Sequence, residues 1–222
     1  MLLLALDTAT PAVTAALHDG RRVLAEAGGT DARRHGELLL PAVDRALREA
    51  GRALGKVTAV AVGTGPGPYT GLRVGLATAA ALGTALGIPV HGVGSLDALA
   101  YGAGLAGLEG PFTVATDARR KEVYWARFAD ARTRLDGPAV ARAADLPADA
   151  RALTAVGAGA ALYRDAFATV RDDLPAHVSA AALASLAAER LAAGDPLDAP
   201  RPQYLRRPDA KVPAGYKAVT RA

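Results

Sequence analysis

Two segments of this 222-residue chain open in the same way, and that repetition limits what it can fold into. Leu2-Leu3-Leu4-Ala5-Leu6 is an apolar run ending in Asp7-Thr8, and Ala12 to Leu17 reads as a returning strand. About half the chain later, Phe112-Thr113-Val114-Ala115-Thr116 ends in Asp117, and Glu122 to Phe128 returns. Short apolar runs closed by turn residues and an acid are the pattern of strand hairpins. Two such hairpins predict two related subdomains, each with a carboxylate at the tip of its first strand.

The stretch between them fills in the first subdomain. Arg22 to Glu26 reads as a third strand and Gly28-Gly29-Thr30 as a loop. Leu39, Val43, Ala46, Leu47, Ala50 and Leu54 follow helical spacing, with Pro41 in the first turn or at a kink. A buried strand at 57–62 leads through Gly63-Thr64-Gly65-Pro66-Gly67-Pro68-Tyr69-Thr70-Gly71 into a helix over 71–86. A strand at 89–93 follows, and Ser95 caps a helix to about Ala103. In the second half the pattern predicts a strand at 153–156, a helix at 159–170 and a helix capped by Ser179 through Ala193. Hairpins feeding alternating helix and strand imply mixed sheets covered by helices. That is an α/β fold of the actin-like, ribonuclease H-like order, expected as lobes over 1–108 and 109–200, the second one truncated, with a tail over 201–222.

Charge sits at one end. Residues 201–222 hold Arg201, Arg206, Arg207, Lys211, Lys217 and Arg221 against Asp209, which leaves 20 basic and 21 acidic residues elsewhere. Five prolines from Pro196 to Pro213 keep this tail from being helical. It reads either as a solvated extension or as a contact with RNA or an acidic partner. The chain has no cysteine, which removes thiol catalysis and thiolate metal sites and fits a reducing cytoplasm. No signal peptide is expected at the N-terminus. Val74 to Leu96 lacks charge over a membrane-spanning length. Its glycines and the Gly87-Ile88-Pro89 break predict instead a buried helix followed by a strand, and no membrane is expected as a partner.

Known chemistries find little purchase. No lysine follows the glycine-proline loop, as a phosphate-cradling P-loop needs, and Pro66 and Pro68 remove two amides that could bind an anion. His18, His35, His91 and His177 include no pair at metal-binding helical spacing. Ser95 lacks the glycines of a nucleophile elbow. Asp7, Thr8 and Asp117 remain, as phosphate-loop positions without glycines beside them. They serve either as strand terminators that satisfy turn amides or as the acids of a self-sufficient kinase or ATPase.

Leu4-Ala5-Leu6-Asp7-Thr8-Ala9-Thr10, His35-Gly36-Glu37-Leu38-Leu39-Leu40-Pro41 and above all Gly65-Pro66-Gly67-Pro68-Tyr69-Thr70-Gly71-Leu72-Arg73-Val74-Gly75 resemble the TsaB family. The similarity runs through Asp117-Ala118-Arg119 to Pro202-Gln203-Tyr204-Leu205-Arg206. The resemblance implies a bacterial cytoplasmic protein of the actin-like superfamily that supports formation of N6-threonylcarbamoyladenosine at position 37 of tRNAs reading codons that begin with A. It implies a role as non-catalytic dimerisation partner of a longer catalytic paralogue, TsaD, together with a small ATPase, TsaE, or as a homodimer, with tRNA met through the complex. It implies no catalytic residue, no metal and no cofactor of its own. Where the paralogue carries a His-x-x-x-His metal motif, this chain has Ser95 and Leu99. Neither supplies an imidazole.

One pattern points to a partner surface. Gly71, Gly75, Ala79 and Gly83 recur every four residues along the second helix, a ridge of nearly bare backbone. It packs either on the chain's own sheet or in a seam with TsaD or a second copy, shared with Leu39, Val43 and Leu47 of the first helix.

Overall fold

In a computed structural model, described here for residues 1–206, the chain forms two five-stranded sheets. The first holds β1 (Leu3–Asp7), β2 (Ala12–His18), β3 (Val23–Thr30), β4 (Ala59–Gly63) and β5 (Val90–Val93). The second holds β6 (Phe112–Asp117), β7 (Glu122–Phe128), β8 (Arg134–Arg142), β9 (Thr154–Val156) and β10 (Thr169–Val170). The spatial orders are β3-β2-β1-β4-β5 and β10-β9-β6-β7-β8. Read from the hairpin outward, they are the same order. In each sheet the first strand pairs antiparallel with the second and parallel with the fourth. The repeated hairpins are therefore the central strands of two lobes of one topology, as the sequence predicts.

Alternation along β1 divides the packing around it. Leu4 and Leu6 lie in an apolar cluster with Leu39, Val43, Leu47 and Ala79, from α1 (His35–Glu49) and α2 (Tyr69–Leu86). Leu3 and Ala5 lie in another with Leu96 and Leu99 of α3 (Ser95–Leu105) and Leu183 and Leu186 of α6 (Ala180–Ala193). The same cluster takes in Phe112, Val114 and Phe128 of the second sheet, so one core runs through both lobes. Two short helices, α4 (Ala148–Ala152) and α5 (Ala158–Leu162), cover the second sheet. The second lobe is short in its helices and complete in its strands.

Several boundaries differ from expectation. Gly28 and Gly29 lie inside β3, paired with Thr14 and Val13, because glycine removes the side-chain signal of a strand but not its backbone ladder. Pro41 stands in the second turn of α1, which begins at His35. The expected helix at 159–170 is α5, a single 3-10 turn at Arg164–Ala166 and β10. The segment 74–96 is helix, then the left-handed Gly87, then β5, as expected. Among the described residues no helix is long and apolar enough to cross a membrane.

The chain then crosses back over both lobes. The Gly92 amide donates to the Asp198 carbonyl at 2.7 Å and the Gln203 amide to the Thr64 carbonyl at 2.9 Å. Tyr204 packs on Tyr69, ring centroids 5.0 Å apart, and Arg206 donates to the Ala118 carbonyl at 2.7 Å. Residues 201–206 thus lie on the body, while the rest of the basic tail falls outside the described residues.

Candidate functional site

β1 ends at Asp7 and is followed by Thr8, and both side chains turn inward. Asp7 is completely buried. Its Oδ1 accepts the Ala9 amide at 2.9 Å, and its Oδ2 accepts the Ser95 hydroxyl at 2.7 Å. The Ser95 oxygen in turn accepts the Gly65 amide at 3.0 Å, and the Ser95 amide donates to the Gly65 carbonyl at 2.8 Å. Ser95 is therefore the first residue of α3 and not its cap; its side chain is committed to Asp7. Burial pushes the Asp7 carboxyl up to about 6, against the opposing pull of the Ser95 hydroxyl, the Ala9 amide and the charge of His35. Behind this knot lies Gly63, where any Cβ would collide with Asp7 Oδ2 and stand 2.8 Å from the Ser95 oxygen.

Thr8 explains the glycine ridge. Its hydroxyl donates to the Gly71 carbonyl at 2.7 Å and accepts the Gly75 amide at 3.0 Å, bridging the two ends of one turn of α2. A Cβ on Gly71 would stand 2.5 Å from the Thr8 carbonyl oxygen, and one on Gly75 at 2.5 Å from the Thr8 hydroxyl. The ridge of Gly71, Gly75, Ala79 and Gly83 is buried on the chain's own first sheet, and Leu39, Val43 and Leu47 face the same core. Of the two placements left open by the spacing, this is the chain's own sheet and corrects the seam with a partner: the close approach comes from Thr8, just past β1, from Val62 of β4 and from Val90 of β5. Ala79 is fully buried. Ala79→Leu is accordingly expected to lower the stability of the isolated chain by about 1–3 kcal/mol, the usual cost of overpacking. A thermal melt checks it, and an unshifted transition would mean the ridge is not packed.

Asp117 ends β6 as Asp7 ends β1, yet it behaves differently. It is half-buried, and its Oδ1 accepts the Arg119 amide at 2.8 Å. With Arg119, Thr116, Leu162 and His177 it forms the second lobe's wall of a cleft of about 420 Å³. Thr10, Pro11, His35 and Pro68 form the facing wall. His35 Nε2 donates to the Thr10 carbonyl at 2.9 Å, which fixes its tautomer and its ring against the first hairpin. His177 Nδ1 is buried with no hydrogen-bond partner among the described residues, and burial holds this imidazole below its usual pKa. The structure thus brings Asp117 to the cleft and takes Asp7 and Thr8 out of it.

Ser95 and Leu99, singled out in the sequence, do not form a pair of ligands. The Ser95 hydroxyl already has a donor and an acceptor partner, and Leu99 lies in the core with no donor atom. Sequence reasoning missed that Ser95 and Asp7 meet, since they are 88 positions apart. The Gly-Pro loop between Gly63 and Thr70 was the available signal, because it leads into α2 and its Gly65 holds Ser95 through both backbone groups.

Two lobes of one topology, presenting the tips of their central hairpins to a shared cleft, define an actin-like protein. A family model described as TsaD, tRNA N6-adenosine threonylcarbamoyltransferase, matches residues 21–214. An uncharacterized protein of Mycobacterium tuberculosis is 47% identical over 215 residues, 94% of this chain and 93% of the relative. The tRNA threonylcarbamoyladenosine biosynthesis protein TsaB of Escherichia coli is 38% identical over 128 residues, 58% of this chain and 55% of that protein. A crystal structure from Pseudomonas aeruginosa, of an uncharacterized protein with similarity to the peptidase YeaZ, superposes with a TM-score of 0.79. It is 34% identical and covers 92% of this chain and 99% of its own. The chain belongs to the TsaB family.

Proposed function

We propose that this protein is a non-catalytic subunit of the cytoplasmic machinery that makes threonylcarbamoyladenosine in tRNA. In this reading it dimerises with a TsaD-like catalytic paralogue and works beside a TsaE-like small ATPase. Relatives that carry the name of that pathway support its place in it. The observation that carries the non-catalytic role is the state of Asp7. Asp7 is completely buried, holds the Ala9 amide and the Ser95 hydroxyl on its two oxygens, and does not line the cleft, which supports a role in the fold rather than toward a ligand. The competing reading, a self-sufficient kinase using Asp7 and Asp117, loses the first of its two acids.

The surface offered to a partner is the outer side of α1 and α2 rather than the ridge beneath it. Ala77, Ala80, Ala81 and Ala85 are exposed along α2, whose one charged residue is Arg73, and Leu40 of α1 is 57% exposed. A long helix face of small uncharged residues allows the close approach that helix pairs need. Ala81→Arg is expected to abolish co-purification with the catalytic paralogue, while the stability of the isolated chain stays within about 0.5 kcal/mol, as for other surface substitutions. Retained binding would remove this face from the interface. The function itself is tested by depletion: nucleoside mass spectrometry should show threonylcarbamoyladenosine falling in cellular tRNA, and an unchanged level would refute the assignment.

A further inference from the structure

The turn between β6 and β7 is built from the wrong residues for folding alone. Arg119, Arg120 and Lys121 have φ of 61°, 55° and 65°, three non-glycine residues in succession in the left-handed region. The Glu122 amide donates to the Arg119 carbonyl at 3.0 Å, closing a tight turn with Arg120 and Lys121 at its centre. Such turns favour Asn-Gly, because a Cβ in the left-handed region crowds the backbone. Strain of this kind is tolerated where the side chains serve another purpose.

Their surroundings indicate that purpose. Lys121, Arg142, Tyr163 and Arg164 line an open cavity of about 460 Å³, in which Asp165 is the single acid. Tyr163 stands beside the Lys121 backbone, which places the aromatic wall against the turn. Arg164 pairs with Asp172, whereas the charged groups of Lys121 and Arg142 have no partner among the described residues. Arg206 ends the crossing segment on this turn, bonded to the Ala118 carbonyl and paired with Glu122 at 2.9 Å. The sequence continues from there with Arg207, Lys211, Lys217 and Arg221 against Asp209.

We infer that this face of the second lobe contacts the phosphate backbone of RNA. Cations fixed around a cavity with a tyrosine in its wall suit a phosphate together with its sugar and base. An acidic protein surface would need neither the cavity nor the aromatic wall. The inference goes beyond the subunit role proposed above, and its test separates the two.

The test uses the full chain carrying Lys121→Gly with Arg142→Gln, titrated with an unmodified tRNA transcript over a range of salt. Two lost phosphate contacts should weaken binding at least about tenfold and reduce the slope of log K against log salt by about 1 to 2. Lys121→Gly by itself should raise the melting temperature, because glycine accepts the left-handed backbone. Higher stability with weaker RNA binding is the signature of a residue kept for contact. If the pair lowers stability, Arg142→Gln alone must still reduce the slope by about 1. Unchanged affinity and slope, or no tRNA binding by the native chain at low salt, overturns the inference. So does loss of co-purification with the catalytic paralogue while RNA binding persists, which would make this face a protein interface and leave the subunit role standing.

Discussion

Gly63→Ala is expected to unfold the isolated chain at temperatures where the native protein is folded, a loss of roughly 3 kcal/mol or more. The added methyl has nowhere to go: it meets Asp7 Oδ2 in front and the Ser95 hydroxyl 2.8 Å away, and both groups are held by other bonds. The neighbours that must give way are a buried carboxylate and the first residue of α3, not the end of a flexible side chain. Gly29→Ala is the control, since a Cβ there meets nothing within 4 Å. A double-mutant cycle with Asp7→Ala sharpens the test. Removing the carboxylate removes the nearer of the two collisions, so the double variant should lose less stability than the two single losses summed. Equal melting temperatures for Gly63→Ala and the native chain would show that the knot at the tip of β1 is loose.

The second large effect depends on pH. A carboxyl raised from 3.8 to about 6 by burial binds its proton more tightly in the folded chain than in the unfolded one. Its contribution to stability is therefore fully present below about pH 4 and is lost as pH rises through about 6. A displacement of that size is worth about 3 kcal/mol. Exposed acids such as Asp130 and Asp173, held below their usual range by neighbouring amides or arginine, act in the opposite direction. The comparison is accordingly made between variants rather than on the native curve alone. Asp7→Asn is neutral at every pH, so its stability relative to the native chain should improve by about 2 kcal/mol between pH 4 and pH 7. Denaturant titrations across that range measure it. A difference that stays constant with pH would show that Asp7 titrates as an ordinary surface acid.

Much of this fold is legible in the sequence because its central strands are buried on both sides. β1 and β6 are nearly unbroken apolar runs, and the helix after Ser179 carries both its cap and its stop at Gly194. The edges are another matter. β8 reads Arg-Leu-Asp-Gly-Pro-Ala-Val-Ala-Arg, with glycine and proline in its middle, and only its backbone pairing with β7 makes it a strand. An edge strand tolerates such residues, so its side chains carry little of the pattern that marks a central one. The site was legible as a set of residues and not as an arrangement. Asp7, Thr8, Ser95 and the glycine ridge all stand out in the sequence. That Thr8 bridges a turn of α2 and Ser95 ties down Asp7 depends on contacts between distant segments. Spacing along the chain could not say which element presses on a bare helix face. Nor could it show that Arg120 and Lys121 hold a conformation usually reserved for asparagine and glycine.

The last helix has a mechanical consequence. By its place in the sequence α6 follows the second lobe, yet it packs against β1, β2 and α3 of the first, and its leucines share a cluster with Phe112 and Phe128. The first half of the repeat is thus finished by a helix that comes last in the described chain. Paired lobes commonly work as jaws that swing about a hinge. Here the jaws share a core: α6 lies on the first sheet and on α3, α3 lies against β6 and β7, and parting the lobes would expose the apolar cluster between them. Any such swing would therefore lose buried apolar surface, a cost that a hinge running between two separate cores does not carry.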